Sequence, residues 1–484
     1  MSDALEKRIK KHIIGKPHRF LAVSPLGFEQ TLSRELEIIL GESATEPPLV
    51  TGDGKVEFTT KLTEAWKAVA VSRTANRVLM EVASFKAESF RELEKKASEI
   101  PWELYLDERT GKALQTRDES IIPSNSKLVT SNLPHIHVTC KHSRLYHSDA
   151  IAERLYKIIE GVSLPLASAD TASATPSAGT PRNAPLQNEN RSIQQNLYVN
   201  FLDDRCTIWL DLAGEELYKR GFERFVNDAP LKETIASAMI FEAIEILRLR
   251  APRSAEDDTS HPRSITLIDL MSGSGTFSLE AACIANKIIP GTCRDFALKH
   301  QPAFKEATWN FLIRQETRDE RRENCATATI AKIITSDISE REVNIIKHNI
   351  ECSPLANTSA PIAPQQKDFF SYTAKEIADA CGDTSPILVL NPPYGKRLDF
   401  DAPKLYTQIG KKLTELARDL HHFGKSLTVA ILAPKDDTRD GTKYTCTANL
   451  LRECPALSRE HSTTAKVIQT SHGGFSLNAF FATI

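Results

Sequence analysis

The sequence predicts an α/β protein in two parts: an N-terminal α+β portion and, from about residue 230, a doubly wound, mostly parallel sheet of seven strands. Three observations carry this. Seven short apolar runs recur after residue 260 with helical segments between them, the spacing of βαβ units. LYVNFLDDRCTIWLDL at 197–212 alternates apolar and polar residues about Asp203-Asp204, a hairpin pattern. Hydrophobic residues make up 41% of the 484 and charged residues 26%, enough apolar material for a large core.

In chain order, Phe20–Ser24 reads as a strand, and Glu29–Leu40 as a helix with Leu32, Leu36, Ile39 and Leu40 on one face. Val56–Phe58 is a short strand and Thr63–Val71 a helix. Two polar segments, 107–132, rich in charge, Ser and Thr, and 164–192, of Ala, Ser, Thr, Pro and Asn with little to bury, read as disordered-type surface insertions. Around them lie a helix at Ile151–Ile159 and the hairpin strands Asn196–Phe201 and Arg205–Leu212. A helix from Pro230 to Leu249, with proline in its first turn, opens the second part. Its strands are Ile265–Leu270, Lys332–Ser336, Ile362–Gln365, Ile387–Leu390, Leu427–Leu432, Val467–Thr470 and Leu477–Ile484. The last two, joined by Ser471-His-Gly-Gly474, form a closing hairpin.

Charge excludes one way of binding nucleic acid. Lys and Arg number 61 against 63 Asp and Glu, a net −2, and both halves are near neutral, so no general cationic coat is available. The nine cysteines are scattered without a Cys-x-x-Cys, which predicts reduced thiols and no metal site. No run approaches the roughly 18 apolar residues of a membrane span, and no signal-peptide core follows Met1. A cytoplasmic enzyme or binding protein, with no membrane partner, is expected.

Four motifs carry chemistry. Ile265–Thr276 delivers a strand into a glycine turn, Ser272-Gly-Ser-Gly275, that opens a helix; Gly273 and Gly275 let a ligand lie against bare backbone. The third glycine of a dinucleotide fingerprint is missing, and no Gly-Lys-Ser/Thr of a P-loop occurs. Asp337 ends the second strand, where doubly wound folds hold ribose hydroxyls, although a helix cap reads equally well there. Asp368-Phe369 follows the third strand and offers an acceptor and a ring for a purine. Asn391-Pro-Pro-Tyr394, directly after the fourth strand, is the sharpest signal. Two prolines stiffen the backbone so that the Asn391 side-chain carbonyl and the Pro392 main-chain carbonyl stand as rigid acceptors, with Tyr394 free to stack. Such a pocket suits the exocyclic amine of a flipped nucleobase.

Together these motifs resemble class I S-adenosylmethionine-dependent methyltransferases acting on base amino groups. Asp211-Leu-Ala-Gly-Glu-Glu-Leu-Tyr-Lys-Arg-Gly-Phe-Glu-Arg224, followed by Ala229-Pro-Leu-Lys-Glu-Thr-Ile-Ala236, is similar to the THUMP–catalytic junction of the 23S ribosomal RNA guanine-N2 methyltransferase family, as is Asn391–Leu398 with Leu405-Tyr406 and Gly410. The likeness spans most of 18–484. It departs at Asp269-Leu-Met-Ser272, where the family commonly has Asp-Pro-Met-Cys, and the chain has a single methyltransferase unit.

The resemblance implies a ferredoxin-like module at about 18–85 interleaved with a THUMP RNA-binding domain at 86–212, a linker at 213–229, and a Rossmann-like methyltransferase domain at 230–484. It implies S-adenosylmethionine as cofactor, with Asp269, Ser272, Gly273, Gly275 and Thr276 on its methionine part, Asp337 on its ribose, and Asp368 and Phe369 on its adenine. Asn391, Pro392, Pro393 and Tyr394 would face the target guanine, Asn391 also bordering the cofactor. RNA contacts are expected from Lys141 and Arg144, and from Lys219 and Arg220, which with Arg224 read equally as an interdomain salt-bridge set, with Lys396 and Arg397 meeting phosphates beside the pocket. The basic run Lys7–Arg19 reads as a phosphate-binding arm or a solvated terminus. Rival readings keep the fold: guanine-N2 methylation of tRNA, adenine-N6 methylation, or a catalytically silent RNA-binding assembly factor. Separate modules further predict that removing residues 1–212 spares cofactor binding but removes activity on structured RNA.

Overall fold

Which faces the strands bury decides the architecture. The computed structural model describes residues 2–107, 133–162, 195–226, 230–249, 263–318, 328–358, 362–394, 401–439 and 442–484; both polar insertions lie outside these. The first sheet contains β1 (Pro17–Val23), β2 (Leu49–Gly52), β3 (Lys55–Lys61), β4 (Arg77–Lys86), β5 (His135–Lys141), β6 (Asn196–Leu202) and β7 (Arg205–Asp211), in spatial order β2-β3-β1-β4-β7-β6-β5. Alternate residues such as Phe20, Ala22, Phe58, Val199 and Ile208 are buried under helices on one face. The expected hairpin is β6–β7, and Asp203 and Asp204 take φ of 49° and 62°, the left-handed pair a two-residue turn needs.

The N-terminal modules do not form separate sheets. β4 is ten residues long; its start pairs with β1 (Arg77–Met80) and its greater length with β7 (Leu79–Lys86), so one strand stitches both into a continuous sheet.

The second sheet is built from β8 (Arg263–Asp269), β9 (Ala328–Asp337), β10 (Gln365–Gln366), β11 (Ser385–Leu390) and β12 (Thr428–Pro434). A two-strand ribbon follows, β13 (Asp437–Arg439) and β14 (Thr442–Tyr444), then β15 (Lys466–His472) and β16 (Phe475–Thr483). Its order is β10-β9-β8-β11-β12-β16-β15. Pairs from β10 through β12 are parallel, and the β15–β16 hairpin closes the edge antiparallel. Both faces are covered: Ile387 and Val389 of β11 enter one core, Leu388 and Leu390 the other, which is why these strands read as unbroken apolar runs. The seven expected strands are all present, except that the third is reduced. Ile362 lies in a loop against the core, and only Gln365 and Gln366 pair with β9.

The junction between the parts is not where the chain's pattern changes. Ile289, Phe296, Leu298, Trp309 and Leu312, which follow the glycine-turn helix Thr276–Ala285, pack into the N-terminal core with Leu36, Trp66 and Val69. The Gly291 amide donates to the Ala70 carbonyl at 3.0 Å, and the Leu298 amide to the Leu212 carbonyl at 3.0 Å. Residues from beyond 285 therefore complete the core of the N-terminal part.

Candidate cofactor and base site

Sheet register brings the motifs to one edge. Asp269 lies opposite Thr335 across β8–β9 and opposite Val389 across β8–β11. Ser336 and Asp337 therefore stand just beyond it on one side and Asn391 on the other. Gln366 faces Asp337, so Asp368 follows at the same carboxyl edge. With strands ~4.8 Å apart, the ends of β9, β8 and β11 span about 10 Å. This is where doubly wound sheets take ligands.

Three buried polar atoms at these adjacent strand ends have no hydrogen-bond partner among the described residues: Asp269 Oδ1, Ser336 Oγ and Asn391 Oδ1. A buried polar group without a partner costs roughly 1–3 kcal/mol, so three side by side mark a place prepared for a polar ligand. The remaining Asp269 oxygen accepts from Ser278 Oγ at 2.7 Å, and that hydroxyl accepts from Thr335 Oγ1 at 2.8 Å. Burial, with the Asp337 charge adding to it, pushes the Asp269 carboxyl up to about 7 against these hydrogen bonds.

The glycine turn is tight and closely packed. Gly273 and Gly275 have φ of 51° and 80°, in the left-handed region. A Cβ on Gly275 would meet Ile346 Cγ1 at 2.9 Å. The Gly273 amide donates to Asp337 Oδ2 at 2.9 Å, and Ser272 Oγ to the Ser336 carbonyl at 2.9 Å.

The same geometry belongs to a known domain. A family model described as "RMKL-like, methyltransferase domain" matches residues 258–436, and the model of the "RlmL ferredoxin-like domain" matches 19–79. The chain carries an RMKL-like methyltransferase domain and an RlmL-type ferredoxin-like domain. S-adenosylmethionine is the cofactor of such a methyltransferase domain.

The "Ribosomal RNA large subunit methyltransferase K/L" of Allochromatium vinosum is 26% identical over 405 residues, 82% of this chain and 46% of that protein. The "Putative RNA methyltransferase YpsC" of Bacillus subtilis strain 168 is 27% identical over 405 residues, 83% of this chain and 86% of that one. The chain thus spans about half the length of the K/L relatives and most of YpsC. The crystal structure of SMU.472 complexed with SAH superposes with a TM-score of 0.61 at 20% identity, covering 96% of this chain and 98% of that one, a likeness of fold.

The residues present fit the cofactor of the methyltransferase domain. A buried carboxylate with a free oxygen suits its ammonium group, and a helix N-terminus after a glycine turn suits its carboxylate. Asp337 and Asp368 are half-buried at the edge. Asp337 Oδ1 accepts from the Ser339 amide at 2.9 Å and Asp368 Oδ1 from the Phe370 amide at 3.1 Å, so each caps a turn while keeping lone pairs for a ligand. Ser336 was not legible as a site residue; its only signal was adjacency to Asp337.

Several expected residues are placed differently. Phe369 is 1% exposed, locked in the core with Ile268 and Tyr372, so it is not a ring for adenine; Phe370, beside it, is the half-buried aromatic. The Thr276 hydroxyl is taken up by Arg224 and the Leu231 carbonyl. Pro392 is buried, Pro393 is exposed, and Tyr394 sits edge-on to Phe475 with ring centroids 5.9 Å apart. Arg220 is only 5% exposed and its guanidinium binds Glu280, so it is withdrawn as an RNA contact. Lys141 is exposed, Arg144 pairs with Glu88, and Lys219 pairs loosely with Glu215 at 3.4 Å. Lys396 and Arg397 lie outside the described residues. Tyr406 and Gly410 serve packing: the Tyr406 hydroxyl donates to the Leu432 carbonyl at 3.0 Å, and a Cβ on Gly410 would meet the Leu450 carbonyl at 2.8 Å. Among the described residues no helix is long and apolar enough to cross a membrane.

The Asp269 carboxyl makes a signed prediction. Its folded pKa, about 7, lies above the ordinary 3.8. The ligand-free protein therefore keeps a proton that the unfolded chain releases, and loses stability as pH rises from about 4 to 7. Asp269→Asn removes that penalty. Thermal melts should show no gain near pH 4 and, above pH 7, a gain of up to about 4 kcal/mol. Calorimetry at pH 8 should show S-adenosylhomocysteine binding weakened at least tenfold. A variant less stable than wild type at pH 8 would contradict the assignment.

Proposed function

We propose that the protein transfers a methyl group from S-adenosylmethionine to the exocyclic N2 amine of a guanosine in 23S ribosomal RNA. The observation that carries this is Asn391: a side-chain oxygen held buried and without a partner, at the end of β11 and next to the Asp269 strand end, on a backbone stiffened by Pro392 and Pro393. A flipped base would offer that oxygen, and the Pro392 carbonyl, the two hydrogens of its amine. Held this way, the nitrogen lone pair is drawn out of conjugation and aligned, and Tyr394 packs on the ring. The cofactor supplies an electrophilic sulfonium methyl. Asp269 and the glycine turn orient it, so the chain's contribution is position and electrostatics.

The substrate class follows the K/L relatives, which bear a ribosomal RNA name. The N-terminal part, read as ferredoxin-like plus THUMP, would grip the RNA through local basic groups, Lys141, Arg144 and Lys219, with Lys396 and Arg397 flanking the pocket. Near-neutral charge is consistent with local patches.

Nucleoside mass spectrometry of ribosomal and transfer RNA from a strain lacking the protein tests the reading. Loss of N2-methylguanosine from 23S RNA is expected. Its loss from tRNA alone, or loss of N6-methyladenosine, would overturn the substrate assignment. Absence of S-adenosylmethionine binding in calorimetry would favour a silent RNA-binding factor.

A further inference from the structure

The glycine turn is held from its far side by the linker. Arg224 hydrogen-bonds Ser274 Oγ at 3.2 Å and Thr276 Oγ1, while its other arm pairs with half-buried Glu233. Asn349, fully buried on the helix Glu340–Glu351, donates from Nδ2 to the Ser274 carbonyl at 3.2 Å and to the Phe225 carbonyl at 2.9 Å. Its Oδ1 accepts from the Phe225 amide at 2.7 Å. The Phe225 ring stacks on His348, centroids 4.0 Å apart and planes at 14°. The chain at 224–225 is thereby latched to the turn by side chains that face away from the ligand edge.

The helix behind the turn is anchored as well. Glu280 accepts from Arg220 of the linker at 3.0 and 3.1 Å, from Arg73 of the N-terminal part at 3.2 Å, and from Ser237. Burial alone would raise this carboxyl, but the two guanidiniums outweigh it and hold it below the usual range.

A glycine turn needs such support. Without Cβ atoms it has more backbone freedom to lose than any other sequence, and its amides can meet a ligand only if that freedom is removed elsewhere. The ligand side tethers Ser272 to the Ser336 carbonyl and Gly273 to Asp337; Ser274 is held by Arg224 and Asn349, and Thr276 by Arg224 and the Leu231 carbonyl.

We propose that Arg224 and Asn349 are positioning residues of the cofactor site, which makes the interdomain linker a structural part of that site. This rests on the reading that the site binds S-adenosylmethionine. The linker that joins the RNA-binding part to the sheet then sets cofactor affinity, and a shift of the linker changes it.

The test uses full-length protein and S-adenosylhomocysteine in titration calorimetry, with steady-state kinetics beside it. Asn349→Ala and Arg224→Lys should weaken binding at least tenfold. KM for S-adenosylmethionine should rise in step, while kcat at saturation and KM for RNA stay within threefold. Glu223→Ala, an exposed neighbour on the same linker, should bind as wild type. Arg224→Lys keeps the positive charge beside Glu233 but loses the fork, so it decides the matter even if Asn349→Ala does not fold. Wild-type affinity in a folded Arg224→Lys would overturn the proposal. Equal loss of both KM values and kcat would also overturn it, as general destabilisation. No binding by wild type would instead defeat the reading on which it rests.

Discussion

Replacing Asn391 with alanine should lower kcat for methyl transfer by about 10³-fold or more, the scale seen when a preorganised polar partner of the reacting group is removed. S-adenosylhomocysteine affinity should change by less than tenfold, and so should RNA affinity. The reasoning is local. Asn391 Oδ1 is buried without a partner, so its removal relieves rather than creates an unsatisfied group, and the fold should tolerate it. Pro392 and Pro393 still shape the backbone, leaving one acceptor where the amine needs two. Single-turnover methylation with saturating cofactor separates this from a binding defect. A variant with near-wild-type turnover would remove Asn391 from the reaction.

The second large effect concerns the boundary between the parts. A fragment of residues 213–484 should fail to form a soluble, cooperatively melting protein. Cutting there strips the partners from Ile289, Phe296, Leu298, Trp309 and Leu312, all less than one-tenth exposed in the whole chain. At about 1.5–3 kcal/mol for each large side chain, the loss is roughly 10 kcal/mol, comparable to the entire stability of a typical domain. Arg220 and Glu280 would also lose Arg73 from their buried cluster. Size-exclusion chromatography and thermal melts check this. A monodisperse fragment that melts sharply and still binds S-adenosylhomocysteine would show instead that the methyltransferase sheet stands alone.

Much of the site was legible because its signals are short-range. A glycine turn after a strand, an acid at the next strand's end and Asn-Pro-Pro-Tyr after a later one each lie within a dozen residues, and parallel register must bring them to one edge. Side-chain direction was less accessible. Phe369 and Phe370 are neighbours in sequence, yet a 3₁₀ turn at Phe369–Ser371 turns the first into the core. Arg220 sits among Lys219, Arg224 and several glutamates, and nothing local says that it alone would be drawn inward to Glu280, 60 residues later.

The sequence by itself determined the mostly parallel sheet of the second part, the hairpin at Asp203-Asp204 and the strand ends that carry the motifs, because alternation, apolar runs and turn residues act over a few positions. The tertiary structure alone decided that β4 joins the N-terminal strands into one sheet, that residues 289–312 complete the other part's core, and that Arg224 and Asn349 brace the glycine turn. These are contacts between faces 50 to more than 200 residues apart. Which faces meet is settled by how all the apolar surface is buried together, and no single segment encodes that.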